Sequence, residues 1–458
     1  MDPDRYLPFN PKTDGINKFM NLQIIGAGPA GLAIGYYAKK KKIPLQIFES
    51  SDSVGGNCKT LNFGNYKFDT GAHRFHNKDS EATTLVKSLL KEELLKVNAP
   101  SKIYWQNKMI NFPLEIPNLI SNLDKPILFK VIVENLVKPF SFYNSTENFR
   151  DLAFKRYGKT LAELFLINYT EKLWGQEAHL LKNDIAGNRL KGLNITSIIK
   201  SIFGINKENE EHFDGTFYYP KNGFGTIFEA MRNYIGKDNI KLRSKVLEIH
   251  HQGNFISEIL LEDNKSFSTS NLVSTLPLSL LIKSLRPLPK KNILDAVNKI
   301  KFRFLRLGII LLDMEYFSKN ASIYFADKNI PFTRIYEPKN RSEMMAPKNS
   351  TCIVVEVPCE PNDSLYNCNQ DEFIDMIKYT LVKNNLVSEK KIINSTSMKV
   401  PYAYPLLDKE TKISIRKAHD FIQQFDNLFI IGRSAEFKYL HTHDLIKEAK
   451  HKVSTFFT

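Results

Sequence analysis

Apolar residues along this chain gather in short dense runs, broken by glycine, proline or polar stretches. Residues 21–26 (NLQIIG) form one such run and enter a glycine-rich turn. Over 29–42, Ala30, Leu32, Ala33, Ile34 and Tyr37 recur at helical spacing, and 44–49 (PLQIFE) reads as a second buried strand. Strand, turn, helix and strand within about 30 residues predict a βαβ unit in a parallel sheet. From about 115 to 205 turn signals thin out and a helical period dominates, as in DLAFKRYGKTLAELFLINYTEKLWG. Strand patterns return near 240–260 and over 300–360, as in RLGIILLDM and TCIVVEVPC. NLFIIGRSA is a last short strand that leads into a helix, and 1–18 read as an irregular polar arm. The predicted fold is α/β: a Rossmann-like domain in three pieces (19–110, 215–290 and 400–458), an inserted helical domain (115–210) and a β-rich substrate domain (291–399).

Composition changes this picture little. The chain has 458 residues, 42% hydrophobic, enough for two or three domains. Its 64 Lys+Arg against 49 Asp+Glu leave a formal charge of +15, which favours anionic partners. No nucleic-acid-binding motif accompanies the charge, so a nucleic-acid partner is not expected. Cys58, Cys352, Cys359 and Cys368 form no disulfide framework and no metal spacing. A reducing cytoplasmic compartment and no metal are the expectations. The start lacks a signal-peptide apolar region, and no apolar run approaches the ~18 residues of a membrane span.

The candidate chemistry begins at Gly26-Ala27-Gly28-Pro29-Ala30-Gly31. Glycine at these positions permits the tight turn, the close approach of a pyrophosphate, and close helix–strand packing. The helix that starts there directs its free N–H groups and dipole at the phosphates. Glu49, 18 residues after Gly31, ends the next strand, near the spacing at which an acid binds a ribose hydroxyl. NAD and FAD share this fingerprint. Ser53-Val54-Gly55-Gly56-Asn57 adds a second glycine pair, which resembles the extended pattern of glutathione-reductase-like flavoproteins. Gly432-Arg433 at a strand end resembles their second flavin-contacting segment. The cofactor expected is FAD, held by Gly26, Gly28, Pro29, Ala30, Gly31, Glu49, Ser50, Gly55, Gly56, Asn57, His73, Val246, Gly432 and Arg433.

Further blocks resemble the UDP-galactopyranose mutases. They are 68–76 (FDTGAHRFH), 169–175 (YTEKLWG), 330–335 (IPFTRI), Tyr404-Pro405 and 432–439 (GRSAEFKY), in the family's order. Blocks 188–193 (NRLKGL) and 217–220 (FYYP), with Arg74, resemble a wider protoporphyrinogen-oxidase-like and amine-oxidase-like group. The mutase resemblance implies a redox-neutral interconversion of pyranose and furanose rings, as in polysaccharide biosynthesis. The reduced flavin acts there as nucleophile and the nucleotide diphosphate as leaving group. It also implies an external reductant, a nucleotide-diphosphate sugar as substrate and a possible homodimer.

By the same resemblance, Arg189 and Arg334 match the two diphosphate-binding arginines, whose planar forks suit phosphate oxygens. Tyr404 and Tyr439 match two tyrosines that bond those phosphates. His73 matches the histidine beside the flavin. Tyr169 and Trp174 match the aromatic wall, with Trp174 on a mobile loop, and Glu356 matches a further acid. Structural alternatives stand beside these roles: Arg189 paired with Asp184, Arg334 paired with Glu337, and Tyr169 and Trp174 as plain core. After Tyr439 the chain reads Leu440-His441-Thr442-His443-Asp444, where the mutases carry Tyr-Asp. Three functions remain open: a flavin-dependent mutase, a flavoenzyme with net redox chemistry on another substrate, and a non-catalytic flavin-binding protein.

Overall fold

The computed structural model describes residues 21–137, 148–181 and 216–457. The expected βαβ unit is present as strand Leu22–Ile25, helix Pro29–Lys40 and strand Leu45–Phe48. It sits in a five-stranded parallel sheet ordered Leu428–Ile430, Asn271–Ser274, Leu22–Ile25, Leu45–Phe48, Ile240–Lys241. Alternation along the strands divides their side chains between two cores. Ile24 and Ile47 join the helix Pro29–Lys40 and the C-terminal helix Thr442–Phe456. Ile25 and Phe48 face a four-stranded sheet through Ile249 and Ile259.

A seven-stranded sheet forms the second layer system, in the order Ile392–Pro405, Phe302–Leu312, Thr351–Cys359, Arg334–Tyr336, Ser322–Phe325, Ser101–Trp105, Lys108–Phe112. Its membership departs from the expected boundaries at both ends. The hairpin Ser101–Trp105/Lys108–Phe112 falls largely within the predicted 19–110 piece, yet it pairs with Ser322–Phe325. Strand Ile392–Pro405 runs past 400 while still paired with Phe302–Leu312. Local pattern identifies a strand, but only its hydrogen-bonding neighbour assigns it to a sheet.

Helices Ile116–Asn122, Lys125–Val137, Phe149–Tyr157 and Asn168–Trp174 pack with that hairpin around Ile103, Trp105 and Ile110. A π-helical stretch, Ala162–Ile167, precedes the last of them. The predicted arm over 1–18, and the predicted helical domain beyond 181, lie outside the described residues.

Candidate functional site

The glycines of the first turn serve different masters. Gly26 has φ +96°, and an added Cβ would lie 2.2 Å from Thr275 Oγ1. A Cβ on Gly31 would lie 1.9 Å from the Gly26 carbonyl oxygen. Both are therefore required by the protein itself. Gly28 is extended (φ −74°, ψ −177°), and a Cβ there would meet Gly56, with its Cα at 3.7 Å, an ordinary contact. No internal contact demands glycine at 28, and no side chain caps the helix it opens. A bare helix N-terminus facing a second glycine is what a close-approaching pyrophosphate requires, so the residues fit FAD.

The rest of the cradle closes around this turn. Glu49 Oε2 accepts the Ala27 N–H at 2.7 Å, and Oε1 accepts the Ser51 N–H and hydroxyl at 2.9 and 2.7 Å. Ser50 is exposed, with its hydroxyl 3.4 Å from the same carboxylate. Ser244 donates its N–H to the Glu49 carbonyl at 2.8 Å, which carries Val246 past the end of that strand. Gly55 donates to the Ala27 carbonyl at 2.8 Å. Gly432 (φ +117°) brings the C-terminal strand against the start of the nucleotide helix: its Cβ would lie 3.3 Å from Ala30 Cβ.

Asn57 and His73 join the cradle to the second sheet. His73 Nε2 lies 2.9 Å from the Asn57 carbonyl, and its ring stacks on Phe224 at 5.2 Å. The Asn57 side-chain amide donates to the Pro401 carbonyl at 3.2 Å, three residues before Tyr404. The 69–73 segment is pinned by buried Asp69, which accepts the Thr60 and Tyr219 hydroxyls and the Phe224 N–H. Burial, then the positive charge of Arg341, lowers the His73 pKa to about 3, so the ring is neutral. As a neutral ring it donates from Nε2 to Asn57, with Nδ1 3.9 Å from the Cys58 sulfur. Burial holds the Cys58 thiol protonated, its pKa raised to about 12.

The second sheet presents an aromatic box around Arg334. Arg334 and Glu356 are direct cross-strand partners. Arg334 Nε donates to Glu356 Oε2 and Nη2 donates to Oε1, both at 2.8 Å. Burial opposes the guanidinium charge, yet Glu356 and the oxygens of Tyr404, Tyr324 and Tyr169 hold its pKa well above the usual value. Tyr404 and Tyr439 are stacked at 6.5 Å and 11°, and the Trp174 ring lies 5.8 and 6.5 Å from them. Burial raises the Tyr404 pKa to about 12, against the pull of Arg334. Arg433 lies 4.5 Å over the Tyr439 ring and donates from Nε and Nη2 to the Leu440 carbonyl. The residue expected on the flavin side thus also reaches the aromatic box.

Several expectations need correction. Trp174 ends the helix Asn168–Trp174 and is buried, with Gly175 at the left-handed cap (φ +67°); it is not on a loop. Arg334 does not pair with Glu337. That carboxylate accepts the Thr351 hydroxyl and the Phe317 and Ser318 N–H groups. Glu356, expected to meet substrate, has both oxygens on Arg334, and Oε1 also accepts the Ala72 N–H at 3.0 Å. Arg189 lies outside the described residues. Sequence reading also missed Tyr324, the cross-strand neighbour of Arg334, whose ring meets Tyr169 edge-on at 5.6 Å. It sits in an ordinary strand pattern with no motif to mark it.

Residues 29–304 match the family model described as flavin containing amine oxidoreductase. The UDP-galactopyranose mutase of Mycoplasma genitalium is 22% identical over 446 residues, 90% of this chain and 97% of that protein. The chloroplastic protoporphyrinogen oxidase 1 of Spinacia oleracea is 32% identical over 106 residues. That match spans only 22% of this chain and 19% of the oxidase. The crystal structure of a reduced UDP-galactopyranose mutase superposes with a TM-score of 0.84 at 16% identity, covering 96% of each chain. With the cradle and its extended glycine pattern in place, the chain belongs to the flavin containing amine oxidoreductase family: it is an α/β flavoenzyme whose cofactor is FAD.

Proposed function

We propose that this protein acts on a nucleotide-diphosphate sugar and interconverts its pyranose and furanose ring forms with no net oxidation. The observation that carries this reading is the stacked Tyr404–Tyr439 pair, walled by Trp174 and flanked by Arg334 and Arg433. Such a box combines hydrogen-bond donors and cations for a diphosphate with apolar walls that exclude water. FAD, when bound in its reduced form, supplies an electron-rich nucleophile. Tyr404, protonated up to about pH 12, donates hydrogen bonds to phosphate oxygens. Neutral His73 holds its Nε2 proton on Asn57 and adds no charge beside the flavin. Arg334 keeps its charge at working pH, and Glu356 fixes the orientation of its fork. Similarity to mutases over nearly the full chain supports the reading.

One observation favours a second reading, net oxidation of another substrate by the same scaffold. Glu356 already neutralises Arg334, which lowers the electrostatic demand for a diphosphate.

Dithionite-reduced protein incubated with UDP-galactose and a panel of other nucleotide sugars decides between the readings. The mutase reading expects ring-isomer products, many turnovers per reduction and inert oxidised enzyme. Turnover by oxidised enzyme with matching oxygen uptake overturns it.

A further inference from the structure

Helix Lys125–Val137 turns an apolar stripe away from the protein. Two polar residues near its C-terminal end, Asn135 and Glu134, face the protein: Asn135 is buried and donates to the Val131 and Tyr157 carbonyls at 2.9 and 3.3 Å. Glu134 accepts the Thr160 N–H and hydroxyl, each at 2.7 Å. Five of its apolar residues face outward. Phe129, Ile132, Val133, Leu136 and Val137 are exposed, with Phe129 at 71% and Leu136 at 61%. Spaced i, i+3, i+4, i+7 and i+8, they form one stripe. Ile120, on the preceding helix, is also exposed. Scattered exposed apolar residues need no explanation, but a continuous stripe marks an interaction surface.

The charges on the helix narrow the partner. Its exposed charged residues are Lys125 and Lys130, both positive. The neighbouring Asp124 is 3.2 Å from Lys108 and so already paired. A central apolar stripe with a lysine rim suits an anionic lipid surface. The net charge of +15 attracts that surface and opposes a second copy of the chain. The helix has 13 residues, about 20 Å, too short for a bilayer core of about 30 Å. Among the described residues no helix is long and apolar enough to cross a membrane.

We propose that Lys125–Val137 docks flat on an anionic lipid surface, with Phe129 and Leu136 as its central anchors. This surface is separate from the substrate reading. The inner side of the same helix packs, through Ile127, Leu128 and Val131, on the core that includes Trp174.

The test is flotation of full-length, FAD-loaded protein with vesicles of phosphatidylcholine, with and without phosphatidylglycerol. Wild type is expected to float with the phosphatidylglycerol vesicles and to be released by salt. F129S/L136S should lose binding at least tenfold, and K125Q and K130Q about fivefold each on the anionic vesicles. Flavin content and melting temperature should be unchanged in every variant, since all these side chains are exposed. The proposal is overturned if wild type stays unbound, if F129S/L136S floats as well as wild type, or if binding ignores phosphatidylglycerol. A dimer that dissociates in F129S/L136S without any vesicle binding also overturns it, and assigns the stripe to a second copy.

Discussion

Gly28→Ala separates what the cofactor requires from what the fold requires. The added Cβ would lie 3.7 Å from Gly56 Cα and 4.0 Å from Gly56 N, and the backbone (φ −74°) suits any L-residue. Two small terms bear on the apoprotein. Alanine reduces unfolded-state entropy, which stabilises by about 0.4–1 kcal/mol. Alanine is also a poorer N-cap than glycine, which costs up to about 1 kcal/mol. They nearly cancel, so apoprotein stability should stay within about 1 kcal/mol of wild type. The holoprotein should behave differently, because the new methyl occupies the face of the helix N-terminus opposite Gly56. Loss of one or more charge-assisted hydrogen bonds to phosphate is worth about 1.5–3 kcal/mol each. FAD affinity should therefore fall roughly 10- to 100-fold or more. Gly31→Ala is the internal contrast. Its Cβ would lie 1.9 Å from the Gly26 carbonyl oxygen, so it should destabilise the apoprotein itself. The assay is FAD titration of the apoprotein by calorimetry, beside thermal melts of apoprotein for both variants. Wild-type FAD affinity in Gly28→Ala, or apoprotein melting as low as that of Gly31→Ala, would refute the reasoning.

Arg334→Ala leaves the Glu356 carboxylate buried without its partner and should destabilise by about 3–5 kcal/mol in chemical denaturation. A second substitution, Glu356→Leu, should recover much of that loss; no recovery would mean that the ion pair is not the cause. Should Arg334 clamp a diphosphate, the stabilised double variant will bind UDP at least tenfold more weakly than wild type, and unchanged affinity in titration removes that role. The His73 pKa is about 3 when folded, against about 6.5 in an unfolded chain. Below about pH 6.5 the unfolded chain takes up a proton that the native state refuses. Stability should fall as pH drops from 6.5 towards 3, by at most about 1.4 kcal/mol per pH unit from this group, and be independent of it above. Replacement by glutamine should flatten that slope without abolishing it, because His419 and His443 are shifted the same way; an unchanged slope would exclude His73.

The features legible in the sequence were those whose physics is local. Gly26, Gly28 and Gly31 lie within one turn between a strand and a helix, and the positive φ of Gly26 and the contact of Gly31 with the Gly26 carbonyl are local to that turn. The helix Pro29–Lys40 and the flanking strands follow from periodicity, and Gly55-Gly56 marks the other wall of the cradle only 24 residues further on. Pairing across long stretches of chain was decided elsewhere. The hairpin at 101–112 looks like any other hairpin until Ser322–Phe325 pairs with it. Arg334 was legible as a fixed cation, but its partner depends on sheet register, which sets it opposite Glu356 and leaves Glu337, only three residues away, on other groups. Tyr324 joins the aromatic box for the same reason, through the strand pairing that sets it beside Arg334 and against Tyr169. Lys125–Val137 falls in the stretch from about 115 to 205 where a helical period was expected. The outward direction of its apolar face was not legible, because the inward bonds of Asn135 to the Tyr157 carbonyl and of Glu134 to Thr160 form only when those residues are folded beneath the helix. Short-range sterics and periodicity thus specify the cofactor cradle, whereas the aromatic box and the outward apolar face exist only through contacts that close long loops.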